Sequence, residues 1–332
     1  MVPYIYIPDG HIGPLPLHPF GVLVATGVLL GTAMTTRRAR KLGWDVAKLN
    51  SFVTWMLVSA FVLSHVLDSF FYHWDEVLKN PFGHLTGVFP YIELPYVLQL
   101  WAGLSSFGGF IGAAVGIVLW KYLFIDNGRL RVRPTPAPLL PFADLVLSCL
   151  PLGWMFGRAG CASVHDHPGA RATADSLLAV AWPMHFSVNP TTGMYTGDGT
   201  AHHFWFIQFI EGHAPRFDLG FLEFLFTIIL CAAFAATWHK KVPLGSYMIV
   251  TALAYAPVRF AMDYLRIPAS EGGDTRYLGL TPAQHCCFVL FAFGIAMIFY
   301  VRRLKARGID PTLAVRAPPP EPEPATPTVT PA

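Results

Sequence analysis

Seven stretches of this chain are apolar over lengths that meet or approach the roughly 20 residues a helix needs to cross a bilayer core about 30 Å thick. They run near 17–36, 49–72, 97–124, 141–161, 217–238, 244–265 and 281–301. Apolar residues make up 54% of the 332 residues and charged ones only 13%, against about 25% charge in soluble domains. That deficit excludes a disordered chain, a disulfide-stapled secreted module and most soluble enzymes. The expected fold is therefore an all-α polytopic membrane protein of seven transmembrane helices. The fourth stretch, PFADLVLSCLPLGWMFGRAGC, is the least regular, because Pro151 and a polar end interrupt it.

Lys and Arg gather in cytoplasmic loops, so their placement tests the span count independently. Arg37, Arg38, Arg40, Lys41 and Lys48 follow the first stretch, and Lys121, Arg129, Arg131 and Arg133 end or follow the third. Lys240 and Lys241 follow the fifth, and Arg302, Arg303, Lys305 and Arg307 follow the seventh. The alternate loops hold only Lys79, Arg171, Arg216, Arg266 and Arg276, apart from Arg158. This alternation predicts the N-terminus outside and the C-terminus in the cytoplasm. A net charge of +3, dispersed along the chain, gives no sign of nucleic-acid binding. Five cysteines without a CxxC pair suggest neither a disulfide framework nor a zinc site. The first residues lack a basic n-region, so the N-terminus does not read as a cleaved signal peptide.

Residues 1–305 thus read as one seven-helix domain, in which 162–216 mixes Gly, Pro, His and Thr with short apolar runs and suggests a small cap on the outer side. Residues 306–332, ending APPPEPEPATPTVTPA, read as a disordered Pro-rich tail.

Ionisable groups inside a span cost about 2.5–3.5 kcal/mol each and are functional candidates by default. In ALAYAPVRFAMDYLRIP, Tyr255, Arg259 and Asp263 recur every four residues and Arg266 follows by three, which sets all four on one helix face. That face either forms a site or holds helices together through an Arg259–Asp263 pair. Arg158, in GWMFGRAGCASVHDHPG, is flanked by glycines that allow a polar headgroup to approach; it is an anion-binding candidate or an arginine snorkelling to lipid phosphate. Retaining Arg158 and Arg259 in apolar surroundings requires a shared anion or carboxylate partners, so the two are expected to converge. Gly108, Gly112 and Gly116 form a small-residue stripe suited to helix contact. His165, Asp166 and His167 are metal-ligand types, but an isolated triplet in a loop does not make a site, and no metal is expected. His202, His203 and His213 read as interfacial or solvated.

Set in order, these motifs resemble the prolipoprotein diacylglyceryl transferases, which lipidate the lipobox cysteine of bacterial lipoprotein precursors. The likeness covers most of residues 11–305: LHPFGVLVATGVLLGTAMTTRRA, GLSSFGGFIG, LGWMFGRAGCASVHDHPG, LGFLEFLF, YAPVRFAMDYLR, LTPAQ and the glycine of PLG at Gly245. It implies a bacterial inner-membrane enzyme that takes phosphatidylglycerol and a prolipoprotein signal peptide with its lipobox cysteine, within membrane lipid and with no cofactor. The cysteine thiolate would attack the glycerol carbon of phosphatidylglycerol, forming a thioether and releasing glycerol phosphate.

Carried over residue by residue, the resemblance implies catalytic roles for Tyr255, Arg259 and Arg158, and substrate binding by Gly160, Asp166, Asp263, Arg266, Gly108 and Gly109. Several positions depart from the family pattern. Cys161 stands for the asparagine of Arg-x-Gly-Asn, Asp166 and Asp263 for glutamates, and Phe107 for the histidine of His-Gly-Gly. Phe217, Asp218, Leu219 and Gly220 replace His-Pro-Ser-Gln, with Glu223 following. The base that deprotonates the thiol is consequently open: His165 and His167 are candidates on equal terms, whereas His65 in the second span reads as a core histidine. The alternative is a non-catalytic relative that keeps the fold as a lipid-binding or interaction protein.

Overall fold

The computed structural model describes residues 1–13, 15–79, 97, 103–189, 194–271 and 273–318. Each of the seven apolar stretches coincides with a helix: α1 (Pro19–Lys41), α2 (Val46–Tyr72), α4 (Ser106–Tyr122), α5 (Leu140–Val164), α6 (Leu219–Ala235), α7 (Ser246–Met262) and α8 (Pro282–Ala306), with a short α3 (Trp74–Lys79) after α2. Four of them, α1, α2, α5 and α8, are long and apolar enough to cross a membrane. The 17 residues of α4, α6 and α7 give only about 25 Å of helix. Part of the third stretch, 98–102, lies outside the described residues.

Local signals set the helix starts. Asp45 accepts a bond from the Lys48 N–H at the start of α2, at 3.0 Å, and Thr281 and Gln284 form a reciprocal capping box on α8. Small residues set the packing. At Gly27 of α1 a Cβ would lie 2.5 Å from the Gly153 carbonyl of α5, so both glycines are needed for the α1–α5 approach. Gly108 repeats this against α2, where a Cβ would meet the Leu63 carbonyl at 2.7 Å. Pro151 sits inside an unbroken α5. Further contacts join α1 with α2, α5 with α6 and α7, α6 with α7, and α7 with α8.

The all-α expectation needs correction. Strands β1 (Val2–Tyr6), β6 (Pro168–Arg171), β7 (Ala179–Trp182), β8 (Thr200–Phe204), β9 (Ile207–Glu211) and β10 (Ala214–Asp218) form a six-stranded sheet. Its order is β6-β10-β7-β1-β9-β8, with β1 parallel to β7 and antiparallel to β9. The cap expected at 162–216 is thus built on this sheet, and its inner strand comes from the N-terminus. Two hairpins, β2 (Gly10–Ile12) with β3 (Leu15–Leu17) and β4 (Leu123–Asp126) with β5 (Arg129–Val132), complete the strands. Strands of four or five residues bury too little of one face to show a period-2 signal, and β1 is formed by pairing with residues about 180 positions away.

His165 ties the sheet to the bundle. It ends α5 in the left-handed region at φ 50°, stacks on Tyr4 with ring centroids 3.7 Å apart, donates to the Ile5 carbonyl at 2.9 Å and bonds Asp218. Asp218 in turn caps α6 through the Phe221 N–H at 3.0 Å.

The tail boundary at 306 also moves. Residues 311–315 form a 3-10 turn whose Val315 is fully buried among Ala39, Leu49, Phe52, Trp120, Phe142 and Leu145. The Val315 carbonyl accepts from the Asp45 N–H at 2.8 Å, and the Ala317 N–H donates to Gly43 at 3.0 Å. The signal missed was local: PTLAV is short, but it covers an apolar gap left between the ends of α1, α2, α4 and α5. Residues 319–332 lie outside the described residues.

Candidate functional site

Glu223 is the centre of an alternating chain of charge at the sheet end of the bundle. Carried by α6 and fully buried, it accepts from Arg158 Nη2 of α5 at 3.2 Å, from Arg259 Nη1 of α7 at 3.5 Å and from the Tyr255 hydroxyl at 2.5 Å. Arg158 and Arg259 thus share one carboxylate. Arg259 Nη2 continues to Asp263 Oδ1 at 3.2 Å, Arg266 Nε meets that oxygen at 3.1 Å, and Arg266 Nη1 reaches Asp274 at 2.7 Å. Thr281, the α8 cap, donates to the other oxygen of Asp263.

Burial is uneven along this chain. The Glu223 and Asp263 side chains are 0% exposed, whereas those of Arg158, Arg259 and Arg266 are 15%, 12% and 21% exposed. The carboxylates are enclosed, and the arginine side chains that hold them are partly exposed. Each guanidinium keeps N–H donors beyond those it spends on carboxylates. An apolar frame holds the arrangement: Trp154 meets the Tyr255 ring edge-on at 4.6 Å, and Gly220 brings α6 against α5, where a Cβ would lie 3.1 Å from Cys161 Cβ.

Cys161, at the position of the family's asparagine, takes an N–H from Arg158 at 3.6 Å on its sulfur. Its Sγ, an Asp166 oxygen and a His167 ring nitrogen all lie within 4.8 Å of one another. Those are metal-ligand types, but the Arg158 cation beside the sulfur and the 2.5 Å bond between His167 Nδ1 and Asp166 already engage all three residues. Asp166 and His167 border a cavity of about 260 Å³ together with Leu219, Arg266, Ile267 and Asp274.

The structure separates the two histidines that the sequence left equal. His165 is buried and committed to Tyr4, Ile5 and Asp218, whereas His167 faces the cavity with Nδ1 held by Asp166. His65 is a core residue, donating from Nδ1 to the Gly103 carbonyl at 3.0 Å. The Phe107 side chain lies outside the described residues. Three glycines assigned to substrate binding pack against neighbouring helices. Gly108 and Gly109 face Ser64 and its neighbours on α2, and Gly160 is pressed on Phe20, 3.0 Å from where its Cβ would be. The approach is close at Gly108 and Gly160, whereas Gly109 is in ordinary van der Waals contact with Ser64. Glu223 was absent from the residues singled out as a site. Its signal was a lone carboxylate inside the apolar run LGFLEFLF, which a membrane helix retains only when a cation meets it.

An apolar helix bundle, capped by a small sheet and carrying a buried arginine–carboxylate chain beneath the cap, defines the class as an integral membrane protein with a polar site at one end. A model of the prolipoprotein diacylglyceryl transferases matches residues 10–300, and the chain belongs to that family. It is similar to the phosphatidylglycerol–prolipoprotein diacylglyceryl transferases of Acinetobacter baumannii, at 22% identity over 297 residues covering 89% of this chain and 92% of the relative. The enzyme of the same name from Proteus mirabilis is 24% identical over 308 residues, 91% of this chain and 94% of the relative.

Proposed function

We propose that the protein transfers the diacylglyceryl group of phosphatidylglycerol to the lipobox cysteine thiol of prolipoproteins, from a seven-span fold in a bacterial inner membrane with the sheet cap outside and the C-terminus in the cytoplasm. The observation that carries this reading is a run of three arginines, Arg158, Arg259 and Arg266, joined through the fully buried carboxylates of Glu223 and Asp263 while their own side chains stay partly exposed. A phosphate would take guanidinium N–H donors not spent on those carboxylates, and the developing charge of a phosphate leaving group would meet preorganised donors. Arg158 and Arg259 hold the phosphate, Tyr255 fixes Glu223 between them, and Arg266 extends the cationic edge towards the cavity.

The thiol proton goes to His167. With Nδ1 donating to Asp166, Nε2 is the free acceptor, an arrangement that orients an imidazole as a general base. The sulfur–carbon bond forms at the diacylglyceryl carbon that bears the phosphate ester. That carbon–oxygen bond breaks, and its electron pair leaves on glycerol phosphate. This assignment supplies a base without a histidine at position 107, and it asks for no metal or cofactor.

One observation favours the second reading, a lipid-binding relative without catalysis: each guanidinium already has a carboxylate partner. Purified protein incubated with phosphatidylglycerol and a lipobox peptide decides between them by mass spectrometry of the peptide. A diacylglyceryl thioether is the expected product; lipid binding with no mass change would leave the second reading.

A further inference from the structure

A second polar cavity, of about 390 Å³, opens at the opposite end of the bundle, where α1 ends and α6 turns into α7. It lies far from the charge chain: Tyr247, in its wall, and Arg259 are twelve residues apart on α7, about 18 Å along the helix axis. Its cations come from two separate parts of the chain, Arg38 and Lys41 from α1 and Lys240 and Lys241 from the α6–α7 turn. The lining carboxylate, Asp144, is engaged by the backbone N–H groups of Gly245 and Met248, each at 2.9 Å. The cavity is left strongly positive.

Arg38 distinguishes this place from an ordinary basic loop. The residue is 9% exposed, with its guanidinium carbon 4.6 Å from the centroid of Tyr247 and 5.1 Å from that of Trp238. Nη2 donates to the Tyr247 hydroxyl at 2.5 Å, which is also paired with Thr237 at 2.9 Å. Nη1 is buried and, among the described residues, has no acceptor. A guanidinium donor left without an acceptor in a buried setting is costly, and the fixed stacking of its plane leaves it ready for an oxyanion. Lys41, Lys240 and Lys241 form an exposed rim around it.

We infer that this cavity is a second anion site, independent of the proposed transfer reaction, and that it takes the phosphate of an anionic phospholipid headgroup. A headgroup is favoured over free phosphate by position. The site lies where apolar helices end, with Trp238 and the half-exposed Leu42 in its wall, the level at which aromatic residues and headgroups meet. A lipid there anchors the α1 end to the α6–α7 turn, which the structure otherwise joins through Arg38 and through Lys41 over the Trp238 ring.

The test uses the full chain in detergent micelles, with retained lipid counted by native mass spectrometry after titration with dioctanoylphosphatidylglycerol. Wild type is expected to bind one lipid more than Lys240→Gln/Lys241→Gln, whose affinity for that lipid falls about tenfold through loss of two charges at the rim. Arg38→Gln is expected to lose the same lipid, while Arg129→Gln, which removes an exposed cation on the β4–β5 hairpin, keeps it. Dioctanoylphosphatidylcholine, whose headgroup carries its own cation, is expected to bind more weakly. Equal binding by wild type and both basic-end variants would overturn the site. Displacement of the lipid by inorganic phosphate at equal concentration would overturn the headgroup assignment.

Discussion

Glu223 carries more of the candidate site than any other residue, since it holds two arginines and a tyrosine from two other helices. Glu223→Gln keeps the shape but removes the charge, leaving Arg158 with no carboxylate partner. Breaking a buried pair from one side costs about 3–5 kcal/mol, so the variant is expected to melt at a lower temperature and lose transfer activity together. The two histidines on either side of Asp166 should separate cleanly. His167→Ala is expected to lower turnover by about 10²–10⁴-fold, as for loss of a general base, with little change in melting. His165→Ala is expected to do the reverse: it removes the stack on Tyr4 and the bonds to Ile5 and Asp218, so thermal stability falls first. Equal effects of the two substitutions on turnover would reject His167 as the base.

Among the elements, α4 is the clearest case of packing fixed by side-chain size. Gly112 abuts Ala60 Cα of α2, which a Cβ would approach to 2.7 Å, and the neighbour is backbone that has no room to yield. Gly112→Val is expected to destabilise the protein by about 1–3 kcal/mol, read as a fall in melting temperature in detergent, whereas Gly21→Val, with open space around it, should change little. Strand β1 gives a pH signature. Burial, with a smaller push from Asp218, raises the Tyr4 hydroxyl to about 12 from its ordinary value of 10. A raised pKa means the fold favours the protonated hydroxyl. Its contribution is complete below pH 10 and is lost as pH rises from 10 through about 12. The sheet should loosen in that window, and Trp182, whose ring lies 5.3 Å from Tyr4, offers a fluorescence readout that Tyr4→Phe would abolish.

In the molecule as a whole, the last described residues close the basic end. Truncation after Gly308 removes Val315 from a core of eight buried residues and uncovers the ends of four helices. The truncated chain is expected to lose about 1–3 kcal/mol, the burial of one aliphatic side chain, whereas truncation after Pro318 should be silent in the same melting experiment. The sequence by itself determined the helices, because span length and apolar content are local properties; seven stretches were legible and all seven are helical. It also determined the shared face of Tyr255, Arg259 and Asp263, which follows from helix periodicity alone. Even the β4–β5 turn is written locally, in Asn127–Gly128 with both φ angles positive. Tertiary structure alone decided the rest. Neither the six-stranded sheet, the docking of Val315, nor the meeting of Arg158 and Arg259 on Glu223 has a periodic trace, because each joins residues far apart in the chain through contacts that exist only once the helices have packed.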